Sequence, residues 1–89
     1  MIHYAFPPAR AYRLNKCLFA LKSDDGFRDR FREDPEGGMA ELGLSDDERA
    51  ALAVQDRDRL IALGAHPYLV FMAQFRLRIE ADPSGFEYF

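Results

Sequence analysis

A segment near the end of the sequence, at positions 67–79, has apolar side chains on two sides when it is drawn as a helix. Nine of its thirteen residues are apolar or aromatic. At 100° per residue they form two clusters on roughly opposite sides of the predicted helix. The aromatic cluster comprises Tyr68, Phe71, Met72, Phe75 and Ile79, and the aliphatic cluster comprises Leu69, Val70, Ala73 and Leu77. Such a helix needs two surfaces to pack against, and a chain of 89 residues is expected to supply only one of them from its own core.

We therefore predict that the aliphatic cluster packs into the core and that the aromatic cluster contacts another polypeptide through Tyr68, Phe71 and Phe75. A second, smaller apolar patch is predicted on the first helix. Tyr12 and Phe19 lie seven residues apart there, on the side away from its core face. Both residues are candidates for a secondary partner contact.

His66 and Pro67 stand directly before the aromatic cluster, at the start of the last helix. Two interpretations of His66 are open. Its ring could be hydrogen-bonded to the backbone at the edge of the helix and have a structural role alone. Alternatively, it lies at a surface where a partner's ligand binds, because an imidazole can donate a hydrogen bond to a phenol or a carboxylate.

Helix-start and helix-stop signals divide the rest of the chain into short segments. The starts are marked by Ser45 with Glu48 (a capping box), by the N-cap cluster Ser23-Asp24-Asp25, and by Asp34 and Asp56. The ends are marked by Gly43 and Gly64. The predicted first helix has a core face of Leu14, Cys17, Leu18 and Leu21. No strand pattern or internal repeat is present. The sequence predicts an all-α fold, a single small domain of five or six short helices in an orthogonal array.

The predicted organisation has three parts. Residues 1–8 form an N-terminal arm, in which two consecutive prolines block a helix. Residues 9–79 form the helical domain. Residues 80–89 form an aromatic C-terminal tail, which is expected to dock on this domain or on a partner.

Composition argues against several classes of function. The net charge of −3 gives no electrostatic reason to expect nucleic acid. The apolar segment is shorter than the roughly 20 residues that span a bilayer, and no signal peptide is visible. A single cysteine, Cys17, fits a reducing compartment. We expect a soluble cytoplasmic protein with no nucleic-acid or membrane partner.

The residues do not predict an active site. His3, His66 and Cys17 have no metal-ligand spacing, so no metal site and no cofactor are predicted in this chain. The grouped carboxylates, Asp24/Asp25 and Asp46/Asp47/Glu48, stand at helix starts, where capping explains them. The alternating charges around Phe27 and Phe31 are interpreted as a solvated helix face.

An ordered series of segments resembles a known family. The segments are residues 12–16 (YRLNK), 27–36 (FRDRFREDPE) and 41–52 (ELGLSDDERAAL), followed by Asp56, Leu60 and residues 63–69 (LGAHPYL). Together they are similar to the LigA-type small (α) subunit of extradiol ring-cleavage dioxygenases, named after protocatechuate 4,5-dioxygenase. The resemblance covers residues 12–75, most of the chain.

The resemblance implies a non-catalytic, all-helical subunit of a class III extradiol dioxygenase, an oxidoreductase of aromatic compound catabolism. Fe(II) is then expected in the large (β) subunit, which cleaves catechol-type rings with O₂ and holds most of the aromatic diol. The small subunit would form a hetero-oligomer with it, stabilise it and help to close its active-site mouth. His66, Pro67, Tyr68, Phe71 and Phe75 are the expected substrate-entrance or partner contacts. The alternative is a standalone LigA-like module that binds other proteins or self-associates.

Overall fold

Six helices with short connections make up the part of the chain that the structure, a computed structural model, describes: residues 11–81, with side chains to residue 78. They are α1 (Tyr12–Ser23), α2 (Asp25–Glu33), α3 (Pro35–Glu41), α4 (Asp46–Ala53), α5 (Arg57–Ala62) and α6 (Pro67–Ala81). Residues 11–81 contain no strand, so the all-α prediction is confirmed. The arm predicted at 1–8 and residues 82–89 of the predicted tail lie outside the described residues.

Side-chain caps begin α2, α3, α4 and α5, as the sequence predicts. Asp24, Asp34 and Asp56 each accept a hydrogen bond from the backbone N–H three residues ahead, at 3.0, 3.0 and 3.1 Å. At α4 the capping box is complete. Ser45 Oγ accepts from the Glu48 N–H at 3.2 Å, and a Glu48 carboxylate oxygen accepts from the Ser45 N–H at 2.9 Å. These bonds satisfy N–H groups that have no partner within a helix.

Left-handed residues end α3, α4 and α5. Gly43 (φ 72°) and Gly64 (φ 111°) adopt this conformation at the predicted positions. Gln55 (φ 53°) does the same after α4, and the Asp56 N–H then donates to the Ala51 carbonyl at 3.0 Å. This is the closing bond of a Schellman motif. The sequence did not predict a left-handed residue at the end of α4, because a glutamine, Gln55, stands where glycine is usual.

The core forms around α1 and α6, which share the most extensive helix–helix packing. The predicted face of α1 is buried: Leu14, Cys17, Leu18 and Leu21. From α6, Val70, Ala73 and Leu77 are buried, and Leu69 is half-buried and packs against the core. The predicted orientation of the last helix is therefore correct.

The solvated face predicted for α2 is wrong at Arg28, whose side chain is only 2% exposed. Its Nη1 donates to the Leu21 carbonyl at 2.9 Å and to the Lys22 carbonyl at 3.3 Å, and its Nη2 pairs with Asp25. The last carbonyls of a helix have no partner within the helix, so a buried guanidinium can satisfy them. Arg28 thus ties α2 to the end of α1.

Two further polar contacts hold α6 in place. Arg32 Nη2 donates to the carbonyls of Arg76 and Leu77, both at 3.2 Å, which ties α2 to the last turns of α6. Gln74 Nε2 donates to the Gln55 carbonyl at 3.0 Å and connects α6 with the end of α4. These contacts keep one side of α6 against the domain and leave its aromatic side outward.

Candidate functional site

Exposed rings define the candidate site, which we call the aromatic surface. Within the described part of the chain, five large apolar side chains are more than half exposed: Tyr12, Phe19, Val54, Tyr68 and Phe71. Four of them are residues that the sequence predicts as partner contacts. Phe75, another predicted contact, is half-buried. The predicted contact residues are thus accessible on α1 and α6, and the contact itself stays a prediction.

On α6 the rings of Phe71 and Phe75 lie one turn apart and stack. Their centroids are 5.9 Å apart and their planes differ by 13°. Tyr68 lies one turn earlier on the same side of the helix. Stacking restricts the side-chain torsions of both phenylalanines before any partner binds, which lowers the entropy lost on association. The aromatic side of α6 is a preformed apolar surface.

On α1 each exposed ring has an ammonium group above it. Lys16 Nζ lies 5.9 Å from the centroid of the Tyr12 ring, and Lys22 Nζ lies 5.1 Å from that of Phe19. Exposed cation–π contacts of this kind contribute about 0.5–1 kcal/mol. An open groove beside Phe19 is lined by Lys16 and by residues 23–26 at the junction with α2. Lys16 and Lys22 therefore place positive charge on the α1 part of the aromatic surface, and Asp24 and Asp25 place negative charge at its end nearest α2.

His66 precedes α6 and caps it. Its Nδ1 accepts a hydrogen bond from the Tyr68 N–H at 3.1 Å. The first interpretation of His66, a ring hydrogen-bonded to the backbone at the edge of the helix, is therefore correct for Nδ1. A nitrogen that accepts a hydrogen bond carries no proton. In the neutral ring the proton is then on Nε2, which makes Nε2 a hydrogen-bond donor. In the half-buried ring, Nδ1 thus caps the helix and Nε2 can donate a hydrogen bond. Pro67, the next residue, is exposed.

Asn15 fixes the backbone of His66, a role that sequence reasoning missed. Its Oδ1 accepts from the His66 N–H at 2.8 Å, and its Nδ2 donates to the carbonyls of Ala11 at 3.0 Å and Gly64 at 3.1 Å. The side chain is 7% exposed. One signal was available: on the helical wheel Asn15 lies at the edge of the α1 core face, beside Leu18, where a polar side chain needs partners.

The amide of Asn15 also places two parts of the aromatic surface at one end of the domain. Its Nδ2 is shared by the carbonyls of Ala11, which directly precedes Tyr12, and of Gly64, which lies two residues before His66. The start of α1 therefore adjoins the start of α6. Phe19 lies about two turns further along α1, away from this junction.

Two kinds of reactive group are at issue among the described residues, a metal centre and a reactive cysteine. Within residues 11–81, no three His, Cys, Asp or Glu side chains come together in a way that could hold a metal ion. Cys17 is fully buried, and its pKa is raised to about 12, first by burial and then by the negative charge of Glu48. Its thiol is therefore protonated at neutral pH. None of the helices in the described part is both long and apolar enough to cross a membrane.

Comparison with known proteins identifies one family. The model of the LigA subunit of the aromatic-ring-opening dioxygenase LigAB matches residues 14–80, more than half of the chain. The matched range includes Asn15, His66 and the aromatic residues of α6, and it leaves out Tyr12. No curated protein and no solved structure matches the chain.

Proposed function

This chain belongs to the LigA family, the small subunits of LigAB aromatic-ring-opening dioxygenases, and we propose that it is the non-catalytic small subunit of a class III extradiol enzyme. In this proposal it stabilises a large subunit and helps to close the mouth of that subunit's active site. The family match over residues 14–80 carries the proposal. The described residues do not fit a metal site, so we assign the Fe(II), and the chemistry of O₂ and the aromatic diol, to the large subunit.

The aromatic surface supports a contact with that subunit. An aromatic side chain buries about 150–250 Å², and Tyr68 and Phe71 are each slightly more than half exposed. Covering the exposed part of one ring would remove roughly 100 Å² from water, which is worth about 2–3 kcal/mol. The exposed rings lie on two adjacent helices and form a large apolar surface for so small a domain. Exposed apolar patches of this kind mark interaction sites, and aromatic residues are enriched in protein interfaces.

His66 is the residue that we propose for the substrate entrance. With Nδ1 held by the Tyr68 N–H, the ring can present Nε2–H to a phenol or carboxylate at the mouth of the large subunit. Asn15 keeps the backbone at His66 in position for this contact. His66 is thus proposed as a positioning contact rather than as a proton-transfer group.

Copurification tests the assembly. A tagged form of this chain, co-expressed with the large dioxygenase subunit from a neighbouring gene, is expected to yield a stable complex that cleaves catechols. Phe71→Ala should weaken the complex by about 2 kcal/mol, roughly thirtyfold in Kd. Val54→Ala is the matched control, because Val54 is also exposed and apolar but lies after α4 and outside the aromatic surface. Equal effects of the two substitutions would contradict the proposed contact.

A second variant separates the capping role of His66 from its proposed contact. His66→Asn keeps a good N-cap acceptor for α6 but lacks the Nε2–H donor. The variant is expected to unfold at the same urea concentration as the parent, while kcat/KM of the complex falls. An unchanged kcat/KM for every catechol tested would leave His66 with its structural role alone. A stable homo-oligomer that ignores the large subunit would instead favour the standalone module.

A further inference from the structure

Acidic and basic residues are distributed unequally among the helices of the domain. Residues 24–62, which contain α2–α5, hold twelve acidic and six basic side chains. Helix α1 (Tyr12–Ser23) holds three basic side chains and no acidic one, and α6 holds two arginines and one glutamate. Most acidic residues of the domain therefore lie outside the two helices that carry the aromatic surface, and Asp24 and Asp25 are the two that line the groove beside Phe19.

The basic residues in the two parts also differ in their partners. Each arginine of α2–α5 makes an ion pair: Arg28–Asp25, Arg30–Glu41, Arg32–Asp29, Arg49–Glu36, Arg57–Asp58 and Arg59–Asp47. The other five cations make no ion pair with any carboxylate in residues 11–78: Arg13, Lys16, Lys22, Arg76 and Arg78. Among the side chains of residues 11–78, the cations without an ion pair therefore lie on α1 and α6.

Two of these cations are part of the aromatic surface itself. Tyr12, Lys16 and Phe19 follow one another at spacings of four and three residues, so they lie along one side of α1. Lys22 continues this side, with its Nζ over the Phe19 ring. Rings and ammonium groups alternate along the stripe. A surface that covers it must bury apolar area and also supply negative charge.

We propose that the large-subunit surface that covers this stripe of α1 is acidic, and that its carboxylates pair with Lys16 and Lys22. This inference rests on the proposed function, since it names the chemistry of the same partner. An acidic protein surface fits better than nucleic acid or an anionic membrane, because it can place a few carboxylates at Lys16 and Lys22 alone, whereas an extended array of phosphates would also meet the carboxylates of residues 24–62 and be repelled by them.

Charge pairing of this kind acts mainly on the rate of association and on its salt dependence. The test measures kon for the complex of this chain with its large subunit by stopped flow, at low and high NaCl. The double variant Lys16→Gln/Lys22→Gln is expected to associate about tenfold more slowly at low salt and to lose much of the salt dependence. Arg57→Gln/Arg59→Gln is the matched control, since it removes the same net charge from exposed, ion-paired positions on α5.

The outcomes separate the two proposals. A complex that forms with equal kon for the lysine variant and the arginine control would overturn the acidic-surface inference and leave the proposed function intact. The absence of any complex with the large subunit would refute both. Binding of the isolated chain to duplex DNA, or to phosphatidylcholine vesicles containing phosphatidylserine, would also overturn the inference if the lysine substitutions abolish that binding. Slower association of the lysine variant alone supports it.

Discussion

Replacing Asn15 with alanine is predicted to destabilise the junction between α1 and α6. The amide makes three hydrogen bonds, of 2.8, 3.0 and 3.1 Å, to the backbone of His66, Ala11 and Gly64. One such bond contributes about 0.5–1.5 kcal/mol net, and a buried group left without a partner costs about 1–3 kcal/mol. We therefore expect Asn15→Ala to lower the free energy of unfolding by about 2–4 kcal/mol.

This loss would be a large part of the total, because a domain of this size is expected to have a stability of roughly 4–13 kcal/mol. Urea unfolding followed by circular dichroism measures the change, and amide hydrogen exchange at His66 locates it. Lys16→Ala is the control. Lys16 is the next residue on α1, is exposed, and makes no hydrogen bond to the α5–α6 connection.

If Asn15→Ala changes the free energy of unfolding by no more than the ~0.5 kcal/mol expected of a neutral surface substitution, the amide does not hold the junction. Unchanged protection of the His66 amide would lead to the same conclusion. The control is expected to leave the protection of the His66 amide unaltered and to lower the free energy of unfolding by at most the ~0.5–1 kcal/mol of the cation–π contact between Lys16 and Tyr12.

Three further predictions concern Cys17, Gln55 and the α4 cap. Burial, and to a lesser extent Glu48, raises the pKa of Cys17 from 9.0 to about 12, so the folded state retains a proton that the unfolded state releases. The free energy of unfolding should thus fall as pH rises from 9 towards 12, and the fall should be smaller in Cys17→Ala when both are measured by urea titration at several pH values. Gln55→Gly should raise the unfolding free energy by about 0.5–1 kcal/mol in a thermal or urea melt, because glycine tolerates the positive φ. Ser45→Ala should lower it by about 0.5–2 kcal/mol in the same assay, because it removes one bond of the capping box and leaves the Glu48 N–H unpaired.

The parts of the fold that the sequence predicts well depend on short-range signals. The caps at Ser45 and Asp56 join residues three positions apart. The core face of α1 follows from the helical period alone. For the same reason the exposure of Tyr68 and Phe71 could be predicted from the two-sided pattern of α6.

The parts that the sequence does not predict depend on long-range polar contacts. Asn15 bonds to residues 49 and 51 positions away, which no local pattern reveals. Arg28 has the same neighbours in sequence as an exposed arginine, Arg30, and only the packing of α2 against α1 distinguishes them. The closeness of Tyr12 to the start of α6 is a consequence of the Asn15 contacts, so it could not be anticipated either.

The proposed role of this chain is to complete a ring-cleaving dioxygenase without supplying its chemistry. The most direct test titrates this chain into a purified, Fe(II)-loaded large subunit and follows the initial rate of catechol cleavage. We expect a saturable rise in rate, together with a higher unfolding temperature of the large subunit. Full activity of the large subunit alone, unchanged at every concentration of this chain, would contradict it.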